Sequence, residues 1–410
     1  MPAAIPSTQS RIVLVNRPKA AISPDITSGN GTFLLQKNAP VEQPGQGECL
    51  IKVEWVSLDP AMRGWLNDSR SYIEPVKLQA VMRALGVGKL VSLGQDAETK
   101  KAAEKKGLRV GDWVSATCGW QEYAKMPVRE VNRIHVDDKI LVSLGQVRHD
   151  TSTGIESLTL RLRLPQPTYH LTALGMVAQT AYWGLKDVGK IKPTDVVVVS
   201  GAAGAVGSIA VQIAKAAGCK KLIAIAGGKE KCRYLKEELG VDVALDYKDP
   251  NFKKDFRKVG YVDVYFDNVG GEILDLVLTR LNKFARIALC GAISAYNDPN
   301  PRGLQMYLTL ISQSAQIRGF VVFDYAKRYK EAEGMPHHST FPLGLLAHIM
   351  TVLHSHRTDD LLKWISEGRL KVKEHRSEGL ENCVDGLLGL FKGENTGKAV
   401  VRIGAPDSKL

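Results

Sequence analysis

Long apolar runs are the first thing this sequence lacks. None approaches the roughly 18 uninterrupted residues that a membrane-crossing helix requires, so no such helix is expected. Cysteine is scarce too. The six (Cys49, Cys118, Cys219, Cys232, Cys290 and Cys383) stand apart, without CxxC spacing, which argues against a disulfide framework or a cysteine-held metal. The opening MPAAIPSTQSRIVLVNRP has no apolar stretch after a basic one, so it does not read as a secretory signal. No low-complexity tract occurs, and 38 Gly and 18 Pro are dispersed, which excludes collagen-like and disordered classes. Negative charge is in deficit: 43 Asp and Glu face 55 Lys and Arg, a formal net charge of +12. That balance favours an anionic ligand. The run Lys100, Lys101, Lys105 and Lys106 includes Glu104 and no aromatic residue; it reads as a solvated face, and nucleic acid is not an expected partner.

What is present is a chain of 410 residues, 44% hydrophobic, enough for two or three domains at about 150 residues each. The first third reads as β-structure, with β-branched and apolar runs at 11–15, 32–36, 49–58, 87–93 and 112–117 between Gly, Pro and Asn turns. From about residue 171 strands alternate with helices. Strands are predicted at 196–200, 222–226, 243–245, 262–266, 286–289 and 317–321, and helices at 207–217, 229–239 and 271–281. Short apolar strands joined by helices predict an α/β domain with a doubly wound parallel sheet. Residues 370–403 return to strand, helix and strand and end in KAVVRI. The β-rich domain is therefore expected over 1–170 and 367–410, split around an α/β domain at 171–366. Residues 137–166 fit neither pattern and are taken as an irregular surface insertion.

The strongest motif is DVVVVSGAAGAVGSIAVQIAKAAG, residues 195–218. A buried strand runs into a glycine turn, and an apolar helix follows at once. Backbone N–H groups there can approach a pyrophosphate at the helix N-terminus. Ala202 stands where the GxGxxG fingerprint has its first glycine, while Gly204 and Gly207 fit. An NAD site would place an acidic residue about 20 residues on, against the ribose. This chain has Ala224-Ile-Ala-Gly-Gly228 and then Lys229, Lys231 and Arg233. Cations in a helix's first turn oppose the macrodipole, but a 2′-phosphate accounts for them. NADPH is the expected cofactor, with Lys231 as the phosphate ligand.

Several stretches carry a more specific likeness: VSLDPAMRGWL (56–66), SYIEPVKLQAVMRALGVGKLV (71–91), LGMVAQTAYWGLKDVGK (174–190), YFDNVGGEILD (265–275), CGAISAYN (290–297), RGFVVFDY (318–325) and GENTGKAVV (393–401). With them the chain resembles the zinc-independent medium-chain dehydrogenase/reductase superfamily, in the branch of prostaglandin reductases (leukotriene B4 12-hydroxydehydrogenases) and alkenal double-bond reductases. The resemblance implies a GroES-like β-domain that holds substrate and a Rossmann domain that holds NADPH. It implies cofactor contacts at Gly204, Ala205, Val206, Gly207, Lys231, Tyr247 and Asn268. Further contacts are implied along Cys290, Gly291, Ala292, Ile293, Ser294 and Tyr296, at Phe320, Val321 and Val322, and at Asn395. Zinc members of the superfamily hold their metal with Cys, His and carboxylate ligands. Here the first domain offers Cys49 and Cys118 without a GHE-type segment, so no metal is expected.

The implied reaction is NADPH-dependent reduction of the C=C bond of an α,β-unsaturated ketone or aldehyde, a small-molecule enone. Two positions depart from the family pattern. Counting eight residues back from Phe320, where several relatives carry Tyr, gives Ser312; the aromatic residue of the relatives' DPYM segment is Ala61 here. Ser312, Tyr72 and Tyr296 are the candidate catalytic residues, and the missing ring at Ala61 predicts a pocket for bulkier substrates. Three other readings are a tailoring enoyl reductase of polyketide metabolism, a quinone reductase and a non-catalytic NADPH sensor. A homodimer is one expected assembly. The terminal Ser408-Lys409-Leu410 spells a peroxisomal address, with an import receptor as partner and a cytoplasmic location as the alternative.

Overall fold

A computed structural model describes residues 4–134, 136, 166–325 and 370–404, and of 140–146 and 157–162 the backbone alone. Strands β1 (Thr8–Leu14) and β2 (Phe33–Pro40) form an antiparallel pair. The main sheet of the first domain is organised around β3 (Glu48–Ser57), flanked by β4 (Gly86–Leu93), β5 (Trp113–Ala116), β6 (Tyr123–Pro127) and β7 (Asn132–Arg133). With Cys49, Leu50, Ile51, Val53 and Val56 all buried, β3 is covered on both faces, which is why its apolar residues run together instead of alternating.

The insertion expected at 137–166 carries regular backbone structure. Within it β8 (Ile140–Gln146) and β9 (Ser157–Leu162) form their own antiparallel pair. Leu158, Leu160 and Leu162 alternate with Thr159 and Arg161, a period-two pattern that favours a strand.

The second domain is a six-stranded parallel sheet of β10 (Val196–Ser200), β11 (Lys221–Ala226), β12 (Val243–Asp246), β13 (Val262–Asp267), β14 (Leu281–Leu289) and β15 (Gln316–Gly319), in the order β12-β11-β10-β13-β14-β15. Order reverses between β10 and β13, so the loops leaving these strands open a crevice at the sheet's carboxyl edge, where ligands bind in doubly wound folds. Helix Ala205–Ala216 packs Ile209, Ala210, Val211 and Ile213 into the core beside β10. Two elements differ from expectation. The strand expected to reach 321 ends at Gly319, because Phe320 turns inward against Phe266 and Tyr325. The helix expected over 229–239 is α-helical for Lys229–Arg233 and widens to a π turn at Tyr234–Glu238.

The chain then returns to its first sheet. Strand β17 (Lys398–Arg402) pairs antiparallel with β3, and β16 (Glu374–Glu378) pairs parallel with β17. Between them, helix Asn382–Lys392 buries Cys383, Val384, Leu387 and Leu390 and ends on Gly393 at φ 68°. A left-handed C-cap of that kind favours glycine.

Candidate active-site cleft

A cavity of about 670 Å³ runs between the two domains. Its floor is the glycine turn after β10. Gly201 takes the left-handed conformation at φ 57°, so the first special glycine is Gly201, and Ala202 is an ordinary buried residue of the turn. A Cβ on Gly207 would lie 2.2 Å from the Gly201 carbonyl oxygen. Only glycine lets the helix start this close to the loop. The helix has no side-chain cap; its first N–H groups remain for an anion.

Below this turn lies a buried polar hub that sequence reasoning missed. Asp267, fully buried at the end of β13, accepts bonds from Ser200 Oγ (2.8 Å), Tyr265 Oη (2.7 Å), Val269 N (2.9 Å) and Gly270 N (3.0 Å). Asn268 donates its side-chain amide to the Ser200 carbonyl at 2.7 Å. The ends of β10 and β13 are thereby fixed to each other beside the cleft. Such a fully satisfied network rigidifies what it holds.

At one end of the cleft Lys231 donates to the carbonyl of Gly393 at 2.6 Å, bridging the domains. Burial, with Lys248 nearby, holds its pKa below the usual lysine range. Tyr247 lines the cavity alongside. Lys229 and Arg233 are not among its lining residues; Arg233 pairs instead with Glu230. Asn395 lines the same end and donates to the Gly397 carbonyl, while the Gly397 N–H bonds to Ala203 O at 2.7 Å.

The other end is mostly apolar. Leu58, Pro60, Ala61 and Trp65 face Met176, Val177 and Ile293, with Phe320, Val321, Val322 and Phe323 completing the wall. Tyr72 and Phe323 meet across the gap with ring centroids 6.1 Å apart. The Trp65 indole N–H donates to Tyr72 Oη at 3.4 Å, and the Ala292 N–H donates to Tyr296 Oη at 3.2 Å. Both hydroxyls thus accept a bond and keep a proton to give. Burial raises the Tyr296 pKa and pushes the Cys290 thiol up to about 12. Cys290, partly buried in the cavity wall, therefore carries a protonated thiol at neutral pH.

Of the residues named from the sequence, the cavity brings together Gly204, Ala205, Val206, Gly207, Lys231, Tyr247, Asn268, Cys290, Gly291, Ile293, Ser294, Tyr296, Phe320, Val321, Val322, Asn395 and Tyr72. Ala292 is set back, packed on Gly270. Ser312 is a correction: it sits exposed on the short helix Leu308–Ser312, donates to the Thr309 carbonyl and takes no part in lining the cavity. A glycine turn, a crevice at the switch point and an apolar chamber joined to it define a two-domain, dinucleotide-dependent oxidoreductase.

Comparison with known proteins places the chain more closely. Residues 11–134 match the family described as the N-terminal domain of oxidoreductase, and 205–335 that described as zinc-binding dehydrogenase. The chain is 32% identical to the NADPH-dependent curcumin reductase of Escherichia coli, covering 97% of each. It is 35% identical to prostaglandin reductase 1 of Bos taurus over 72% of this chain and 83% of the relative. The crystal structure of CurA from Vibrio vulnificus in complex with NADPH superposes with a TM-score of 0.72 at 34% identity, covering 97% of this chain and all of that one. The chain belongs to the zinc-independent reductase branch of the medium-chain dehydrogenase/reductase superfamily. Among the described residues no group of three or more His, Cys, Asp or Glu is placed to hold a metal ion.

Proposed function

We propose that the protein is an NADPH-dependent reductase of the C=C bond of α,β-unsaturated ketones or aldehydes. The observation that carries this reading is the continuity of the cavity, with a phosphate-binding turn and Lys231 at one end and an apolar chamber bearing two tyrosine hydroxyls at the other. The glycine turn and the N-terminus of helix Ala205–Ala216 would hold the pyrophosphate of NADPH, Lys231 the 2′-phosphate, and the 290–296 loop with Phe320–Val322 the nicotinamide end. When bound, NADPH supplies a hydride.

The chain's own residues do the rest. The apolar walls exclude water and orient the enone along the cleft. Negative charge that develops on the enone oxygen needs a donor, and the hydroxyls of Tyr296 and Tyr72 are placed to give one. Burial keeps the Tyr296 proton in place at neutral pH. The α-carbon then takes its proton from one of these hydroxyls or from water.

Absorbance loss from NADPH across a panel of enones tests the reading. Turnover of bulky aryl enones and long alkenals is expected, and flat traces throughout, with NADPH still bound, would sink it. Because Ala61 leaves room in the wall, Ala61→Phe is expected to raise KM for a bulky enone while sparing a short alkenal. Equal effects on both would remove Ala61 from substrate selection.

A homodimer is supported by β15, an edge strand among the described residues, beside which Phe284, Leu308 and Ile311 lie 67%, 62% and 75% exposed. Ile311→Glu should yield monomers by light scattering, whereas a monomeric parent protein would remove the proposal. Ser408–Leu410 lies outside the described residues; its peroxisomal role is tested by deleting it and following a tag at the other end. No helix among the described residues is long and apolar enough to cross a membrane.

A further inference from the structure

Arg63 is 3% exposed, yet among the described residues its hydrogen-bond partners are neutral oxygens. Nη1 donates to Asn67 Oδ1 at 2.6 Å, Nη2 to the carbonyls of Ala20 (2.7 Å) and Pro18 (3.2 Å), and Nε is shared between Ala20 O (3.2 Å) and Asn297 Oδ1 (3.0 Å). A guanidinium accepts no hydrogen bond, so Asn297 must present its oxygen. A buried cation without a counter-ion is costly, and an apolar side chain would fill the space more cheaply.

The geometry suggests what Arg63 does. Three of its acceptor residues belong to its own domain, and Asn297 belongs to the other, 234 positions along the chain. Arg63 rides on the 3-10 helix Pro60–Leu66, whose Pro60, Ala61 and Trp65 form one wall of the apolar chamber. Asn297 follows directly on Tyr296, and Ile293, Ser294 and Tyr296 form part of the opposite wall. At the cofactor end the domains are joined by Gly397 N to Ala203 O and by Lys231 to Gly393. At the substrate end the Arg63–Asn297 bond is a directional tie, beside the ring contact of Tyr72 and Phe323.

We propose that Arg63, acting through Asn297, is a positioning residue that sets the spacing between the two walls of the substrate chamber. The proposal rests on the reading of that chamber as the enone site. Arg63 itself meets neither substrate nor cofactor in this scheme.

The test uses Asn297→Ala in the full chain, since Arg63 then keeps its acceptors on Pro18, Ala20 and Asn67 and folding is spared. A bulky enone should show KM raised about tenfold, as expected for one hydrogen bond to a charged group. NADPH affinity, read by nicotinamide fluorescence, should stay unchanged, and the thermal midpoint should fall by only a few degrees, as the loss of one hydrogen bond requires. Asn297→Asp, which retains an acceptor, should restore KM. Amide exchange in the absence of substrate supplies a readout independent of turnover: residues 60–67 and 290–297 should open together in Asn297→Ala. Unchanged KM, exchange rising in 290–297 alone, or parallel losses of thermal midpoint and NADPH affinity would each overturn the proposal. If the parent protein reduces no enone, the functional reading fails, and the exchange result still decides whether Arg63 couples the two walls.

Discussion

Lys231→Ala is expected to raise KM for NADPH by about 10- to 100-fold, the worth of a hydrogen bond to a charged group, and to leave KM for NADH nearly unchanged. The selectivity follows from where the side chain stands. At the end of β11, where an acid would meet an unphosphorylated ribose, the chain has Ala226, Gly227 and Gly228. An ammonium carries three donors; one reaches the Gly393 carbonyl, and two remain for a phosphate. Arg233 is paired with Glu230, so Arg233→Ala should matter far less. The pH dependence has a definite sign. Burial and Lys248 hold the Lys231 pKa down, so the free protein gives up this proton at lower pH than an exposed lysine would. NADPH affinity should therefore fall as pH rises through that lowered pKa, and binding should take up a proton there, while NADH affinity stays flat. Equal weakening of both cofactors by Lys231→Ala would show that the lysine does not read the 2′-phosphate.

The sequence carried the parts of this site that depend on local pattern. β10 and the helix after it were legible because a run of four valines ends at a glycine turn and an apolar helix follows. Lys231 was legible because its position in the helix opposes the macrodipole. What was not legible are polar groups whose partners are distant in sequence. Asp267 meets Ser200 across 67 positions, Arg63 meets Asn297 across 234, and Lys398 meets Asp59 across 339. No spacing rule pairs such residues. The error at Ser312 has the same origin: counting back from Phe320 assumes that the intervening backbone runs toward the cleft, whereas helix Leu308–Ser312 lies on the surface. Gly201 was missed for a different reason. Its role is a left-handed φ, which a match to a glycine fingerprint does not report.

Asp59→Ala should lower stability by about 3–5 kcal/mol, the cost of leaving a buried charge without its partner. Lys398 is 2% exposed on β17, with Nζ bonded to the Asp59 carboxylate and, at 2.9 Å, to the Leu58 carbonyl. Asp59 in turn accepts from the Ser57 hydroxyl. Removing the carboxylate strands the ammonium against a single carbonyl, in a strand held by β3 on one side and β16 on the other. Lys398 cannot swing out to water without breaking that pairing. The converse change is milder, because the Asp59 side chain is 16% exposed and lies on the cleft, where water can reach it. Lys398→Met should therefore cost less than Asp59→Ala. The double variant should recover most of the loss, since an apolar side chain then fills an apolar space and the two sites are in contact. Thermal or denaturant unfolding of the four proteins gives the coupling directly. Additive losses, or an Asp59→Ala protein as stable as the parent, would mean that the ion pair is no better than water at solvating Lys398. If the recovery is seen, the two side chains are strongly coupled but add little net stability: each is there to answer the other, and apolar packing between the returning C-terminal strand and the segment that leads into Ala61 and Trp65 holds that wall of the chamber just as well.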